Sequence, residues 1–173
     1  LWENGVLSWE EFADRDRLDG ISPGRKAVMD LELETAMDSW QRGQTEYFYR
    51  LLPSGQHWRM FQRLQESNAY LDIETDGLGP GTVITMISVH RNGETNTLTR
   101  GMDLEAENLR RALSGVKMMV TFNGSSFDLP MIEKEFPFTV PKVPHYDLRH
   151  ACPKVGLRGG LKQVELLLGY RRP

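Results

Sequence analysis

Two periodicities of apolar residues divide the chain. Through residue 66 apolar side chains recur at helical spacing, and from Asn68 onward short apolar runs of strand character alternate with further helices. Ser8, with Glu11 three residues later, forms a capping box ahead of a short helix that Asp19-Gly20 interrupts. Ser22-Pro23 pairs a capping serine with a proline at the first helical position. Val28, Leu31, Ala36, Met37 and Trp40 then fall on one helix, which Gly43 stops. Glu46 to Leu52 forms a third short helix ending at Pro53. Trp2, Trp9, Trp40 and Trp58 belong to one apolar surface of these helices, which is expected to pack on the domain that follows.

From Asn68 the pattern predicts Ala69 to Glu74 as a strand, a turn over Gly77 to Gly81, and a second strand from Val83 to Val89. Asn92-Gly93 is a hairpin dipeptide, so Thr95 to Thr99 returns as a third strand. A helix capped by Asp103 runs to Leu113, and Lys117 to Phe122 is a short apolar strand. Ser126 to Phe136 and Leu161 to Leu168 read as helices, the latter ended by Gly169. The order β-β-β-α-β-α describes a mixed α/β layout that starts with a meander, unlike a doubly wound sheet of strictly alternating units. The expected division is residues 1–66, a helical segment, and residues 67–173, an α/β domain.

Composition adds limits. At 39% hydrophobic and 26% charged residues the chain has the balance of a globular protein, which argues against disorder. There is no apolar run of membrane-spanning length. The single cysteine, Cys152, excludes an internal disulfide framework and fits a reducing, cytoplasmic setting. A net charge of −3 would by itself argue against a nucleic-acid partner, but the average conceals a split. Residues 140–173 hold seven basic side chains against Asp147 and Glu165, a net of +5, which leaves −8 for the first 139 residues. The chain opens at Leu1 and stops at Arg171-Arg172-Pro173 just after an apolar helix, and is expected to be a fragment or the ordered part of a longer protein.

Two segments carry candidate chemistry. In Asp72-Ile73-Glu74 the carboxylates at i and i+2 of a strand point to one face, within about 7 Å of each other at ~3.3 Å per residue. Charges in an otherwise apolar strand call for a cation, and hard oxygen donors suit Mg²⁺ or Mn²⁺; the tripeptide alone is equally compatible with a solvent-facing pair on an edge strand. In Thr121 to Pro130 a strand ends at Phe122, small polar residues turn the chain, and Asp128 sits in the first turn of a helix whose dipole favours its charge; the alternative is an ordinary cap region with Ser126 as the cap. If this strand lies beside the first, Asp128 faces the same cleft as Asp72. Three other signals point elsewhere. Gly77-x-Gly79-x-Gly81 precedes a strand rather than a helix, so no nucleotide cofactor is expected. Gly20-Ile21-Ser22-Pro23 is a structural turn, and Cys152 has no catalytic partners in the sequence.

Leu71-Asp72-Ile73-Glu74-Thr75-Asp76-Gly77-Leu78 resembles the first motif of the DEDD 3′→5′ exonucleases of the RNase H-like superfamily. Asn123-x-x-x-Phe127-Asp128 resembles their second motif in the form found in proofreading domains of family B DNA polymerases. His145-Tyr146-Asp147-Leu148 and Leu161-Lys162-Gln163-Val164-Glu165 are similar to segments that follow it. The chain is in this respect similar to stand-alone prokaryotic RNase H-like domain proteins. The resemblance implies an RNase H-like mixed sheet flanked by helices. It implies Asp72, Glu74 and Asp128 as catalytic metal ligands, with two Mg²⁺ or Mn²⁺ ions in the complete domain. It places Thr75 and Leu78 at the terminal nucleotide and Asn123 and Phe127 along the strand groove, where Arg158 and Lys162, with Arg149 and Lys154, would track a phosphate backbone. The partner implied is single-stranded DNA or RNA, with no membrane. The family's fourth carboxylate lies in a Tyr/His-x-x-x-Asp motif that has no match here. Asp147 is a carboxylate, but it precedes the Leu161 helix and so stands in the wrong segment. Cleavage is therefore expected to be weak. The alternatives are a nuclease-like domain that binds nucleic acid without cutting it, and a structure-selective endonuclease.

Overall fold

The computed structural model describes residues 5–171, so Trp2 lies outside the described residues. The chain divides into two compact units, residues 1–51 and 52–173. The segment from Leu52 to Glu66 thus goes with the α/β unit, whereas the sequence pattern grouped it with the helices before it.

The first unit holds α1 (Trp9–Ala13), α2 (Pro23–Gln41) and α3 (Thr45–Leu51). The caps are the expected ones: the Ser8 hydroxyl accepts from the Glu11 amide and the Ser22 hydroxyl from the Arg25 amide. Glu11 reaches back one residue further than an ideal capping box, to the Leu7 amide at 2.6 Å. Gly20, at φ +78°, makes the tight turn between α1 and α2. Val6, Phe12 and Leu18 form a small core with Ile21, Met29 and Leu33. Beside it Trp9, Trp40 and Phe48 pack as an aromatic trio with centroids 5.4–6.3 Å apart. Lys26 is 4% exposed yet satisfied, with Nζ 2.6 Å from Asp30 and 4.7 Å from the Phe12 ring centre. Trp58 belongs to the other unit, where it lies against the Arg59 guanidinium.

The second unit begins with a 3-10 stretch (Ser54–Met60), α4 (Phe61–Leu64) and a further 3-10 turn (Gln65–Ser67). A sheet follows: β1 (Asn68–Thr75), β2 (Ile84–Arg91), β3 (Glu94–Thr99), β4 (Met118–Thr121) and β5 (His145–Asp147), in the spatial order β3-β2-β1-β4-β5. β1, β2 and β3 form an antiparallel meander, and β4 and β5 run parallel to β1. Helices α5 (Ala106–Ala112) and α6 (Asp128–Glu135) supply the crossovers that parallel pairing requires. α7 (Leu148–Ala151), a 3-10 turn (Cys152–Val155) and α8 (Leu161–Leu167) complete the unit. This is the mixed α/β layout with a leading meander that the pattern predicts, and the helix-flanked sheet that the resemblance implies.

One face of the sheet is the core. Ala69, Leu71 and Ile73 of β1 pack with Ile87 and Val89 of β2, Leu109 and Leu113 at α5, and Ile132 of α6. Burying each of these large aliphatic side chains is worth roughly 1.5–3 kcal/mol. The period-2 alternation of β1 leaves Tyr70, Asp72 and Glu74 on the opposite, exposed face. Among the described residues no helix is long and apolar enough to cross a membrane.

Two expectations are corrected. Asp103 does not cap α5; Glu105 occupies the cap position without a side-chain bond, and the Asp103 carboxylate accepts from the Thr99 amide at 2.7 Å to close the turn after β3. The three-residue strand β5 is absent from the sequence reading, because His-Tyr-Asp is too short for a period and pairs only with the distant β4. It is held at its start by a contact that no local pattern encodes. The His145 amide donates to Nδ1 of His57 at 3.1 Å, which leaves Nε2 of His57 to donate to the Leu52 carbonyl, also at 3.1 Å.

Candidate active site

Asp72 and Glu74 sit opposite Ser88 and Met86 of β2, and both are exposed. The pairing shifts register between Glu74 and Thr75, so the strand deviates just beyond the two carboxylates. The loop that follows is closed by its own polar groups. Asp76 and Val83 bond in both directions, through the Asp76 amide to the Val83 carbonyl and the Val83 amide to the Asp76 carboxylate. The Thr75 hydroxyl donates to the Gly77 carbonyl at 2.8 Å. At the tip Leu78 is 90% exposed, an unusual position for a large apolar side chain.

Asp128 comes to β1 from the first residue of α6. Its Oδ1 accepts the Ile73 backbone amide at 3.1 Å. The β1–β4 ladder ends at Tyr70 and Val120, so beyond that pair the carboxylate takes the place of a strand partner on this edge. Asp128 is 4% exposed. Burial, and secondarily the nearby Asp72 charge, raise its pKa to about 6, against the opposing pull of its own amide and that of Ile73. The structure thus brings Asp128 into electrostatic contact with Asp72, with Glu74 one pleat further along the same face.

The loop between β4 and α6 is held from below by β5. Asn123 adopts a left-handed conformation at φ +72°, which asparagine tolerates. Gly124 passes so close to Thr121 that a Cβ there would lie 2.3 Å from Oγ1. The Thr121 hydroxyl accepts from the Gly124 amide at 3.1 Å and meets Nε2 of His145 at 2.8 Å. Burial lowers the His145 pKa, and His57 and His150 add to that against the opposing charge of Asp147. Asp147 is also buried in this region. Burial pushes its carboxyl up, but hydrogen bonds from the Ser125 hydroxyl and the amides of Ser125, Asn123 and Arg149 together hold it below the usual carboxylate range. No motif in the sequence marks Asp147 as a site residue. The available signal was its place just before Leu148-Arg149-His150, where it caps α7.

The remaining expected site residues fall in different settings. Phe127 occupies the cap position of α6 and packs against the core. Arg158 and Lys162 are exposed, the first in the loop before α8 and the second in its first turn. Asp72, Glu74 and Asp128 offer hard oxygen donors, and a divalent cation would offset both the burial of the Asp128 carboxylate and its repulsion by Asp72. Their chemistry therefore fits Mg²⁺ or Mn²⁺. Among the described residues no three His, Cys, Asp or Glu side chains already converge in metal-binding geometry.

A meander of three strands followed by two parallel strands, with carboxylates on the first strand and on the helix after the fourth, defines an RNase H-like α/β protein. The family model described as the RNase_H superfamily matches residues 69–173, more than half of the chain. The chain belongs to that superfamily. No curated protein matches it. Among solved structures it is similar to the EXO domain of Nibbler from Aedes aegypti, at 17% sequence identity and a TM-score of 0.50. The match covers 66% of this chain and 65% of the other, a little under two thirds of that domain. At this identity the likeness concerns the fold.

Proposed function

We propose that the chain is a metal-dependent 3′→5′ exonuclease acting on single-stranded ends of DNA or RNA. The observation that carries the reading is the docking of Asp128 on the Ile73 amide, which seats a buried carboxylate on β1 within electrostatic reach of Asp72. Asp72, Glu74 and Asp128 would hold the divalent cation, which supplies Lewis-acid stabilisation of charge on the phosphate oxygens. Thr75 and Leu78 border the carboxylates at the end of β1, and the high exposure of Leu78 leaves an apolar surface for a terminal base. Asn123 and Phe127 line the loop on the other side. Membership of the superfamily and the fold shared with an EXO domain support a nuclease.

The test is incubation of the purified chain with 3′- and 5′-labelled single-stranded DNA and RNA in Mn²⁺ or Mg²⁺. Stepwise shortening from the 3′ end is expected. Asp72→Ala should slow it by ~1,000-fold or more, the loss of several kcal/mol of transition-state stabilisation. Cleavage that Asp72→Ala does not affect, or binding without any cleavage, would overturn the exonuclease. The second outcome would make the chain a nucleic-acid-binding module, and internal cuts at junctions would make it a structure-selective endonuclease.

A further inference from the structure

Asp147 lies outside the carboxylate set just described, yet it is 8% exposed and accepts four hydrogen bonds among the described residues. Its Oδ1 takes the Asn123 amide at 2.7 Å and the Arg149 amide at 3.0 Å. Its Oδ2 takes the Ser125 amide at 3.0 Å and the Ser125 hydroxyl. With both oxygens engaged by donors, this carboxylate is committed to the protein and is poorly suited to ligate a cation. We propose that Asp147 is the positioning residue for Asp128.

The path is short and continuous. Asp147 pairs with Thr121 in the parallel β4–β5 ladder, so its carboxylate stands just past the end of β4. There it fixes the amides of Asn123 and Ser125. The Asn123 carbonyl in turn accepts from the amides of Ser126 and Phe127, and the Gly124 carbonyl accepts from the Leu129 amide at 2.9 Å. Asp128 is therefore flanked on both sides by residues bonded to the loop that Asp147 clamps. The loop decides where α6 begins, and the start of α6 decides whether the Asp128 carboxylate reaches the Ile73 amide. A carboxylate suits this clamp because charge-assisted hydrogen bonds to amides are stronger than neutral ones.

The clamp itself is independent of the exonuclease reading; its consequence for metal affinity rests on that reading. The first measurement is amide hydrogen exchange by NMR on the metal-free protein. Asp147→Ala is expected to speed exchange of the Ile73 amide roughly 10–100-fold, the loss of a hydrogen bond to a charged group. The amides of Ile87 and Leu109, in β2 and α5, should be unaffected, whereas a general loss of stability would move them too. In an Asp128→Ala background, where the Ile73 amide has already lost its acceptor, Asp147→Ala should add nothing at Ile73. Asp147→Asn keeps one carbonyl oxygen for the Asn123 and Arg149 amides and should restore part of the protection. Should Asp147→Ala fail to fold, Ser125→Ala removes one donor of the clamp and is expected to act in the same direction by about 2–5-fold. The second measurement is titration with Mn²⁺ alone, where Asp147→Ala should weaken binding roughly 10–100-fold.

Unchanged Ile73 exchange in folded Asp147→Ala, or equal effects of that change with and without Asp128, would overturn the proposal. A wild-type chain that binds no Mn²⁺ while its Ile73 amide still responds to Asp147 would sink the exonuclease reading and leave the clamp standing.

Discussion

The carboxylate of Asp128 and the backbone amide of Ile73, 55 residues apart in sequence, meet at 3.1 Å and join the start of α6 to the middle of β1. This contact brings the two motifs together and places a charge where the fold pays for holding it. Burial and the Asp72 charge raise the Asp128 pKa to about 6, above its value in an unfolded chain. The associated stability is fully present below the unfolded value and is lost as pH rises through about 6.

Asp128→Asn should remove that pH dependence while keeping an acceptor for the Ile73 amide. In urea melts of metal-free protein, the stability of the wild type relative to Asp128→Asn should fall by about 2 kcal/mol between pH ~4.5 and pH ~7.5. A constant difference across this range would show that Asp128 is not buried as described. The same substitution should abolish Mn²⁺-dependent cleavage, so stability and activity would move in opposite directions.

Gly124→Ala should be costly although no positive φ is involved. The added Cβ would overlap the Thr121 side chain, whose hydroxyl is tied to both the Gly124 amide and His145. The expected loss is roughly 1–3 kcal/mol, readable as a lower denaturation midpoint. Gly24→Ala, in the first turn of α2 with open space around its Cβ position, is the control and should be neutral or slightly stabilising.

Asn68 opens β1 at 2% exposure, and neither Oδ1 nor Nδ2 has a hydrogen-bond partner among the described residues. An unsatisfied buried amide costs about 1–3 kcal/mol. Asn68→Leu, of similar size, should therefore raise the thermal midpoint. A fall would indicate that the amide is satisfied in solution by a bound water.

The Arg158→Ala, Lys162→Ala double substitution should weaken binding of a single-stranded oligonucleotide in the absence of metal. It should lower the slope of log affinity against log salt by roughly 1–2. An unchanged slope would remove these two residues from the path of the phosphate backbone and leave them as solvated surface charges.

Much of this was legible in the chain. Ser8 and Ser22-Pro23 announce α1 and α2, because capping is a local transaction between a side chain and amides two or three residues away. The alternation of Leu71, Asp72, Ile73 and Glu74 identifies both the core face and the open face of β1. Asp103 departs from its local pattern for a physical reason. Asp serves equally well at a helix start and in a tight turn, and the bond to Thr99 depends on where β3 ends.

The sequence by itself determined α1, α2 and the strands β1 to β4, the face on which Asp72 and Glu74 lie, and the two motifs by which the family could be recognised. Each of these depends on local periodicity or on a few consecutive residues. Only the tertiary structure decided that β5 exists, that Asp147 clamps the loop after β4, and that Asp128 reaches Ile73. Those depend on strand pairing and hydrogen bonds between residues 22 to 88 positions apart, and such pairings leave no period in the sequence to read.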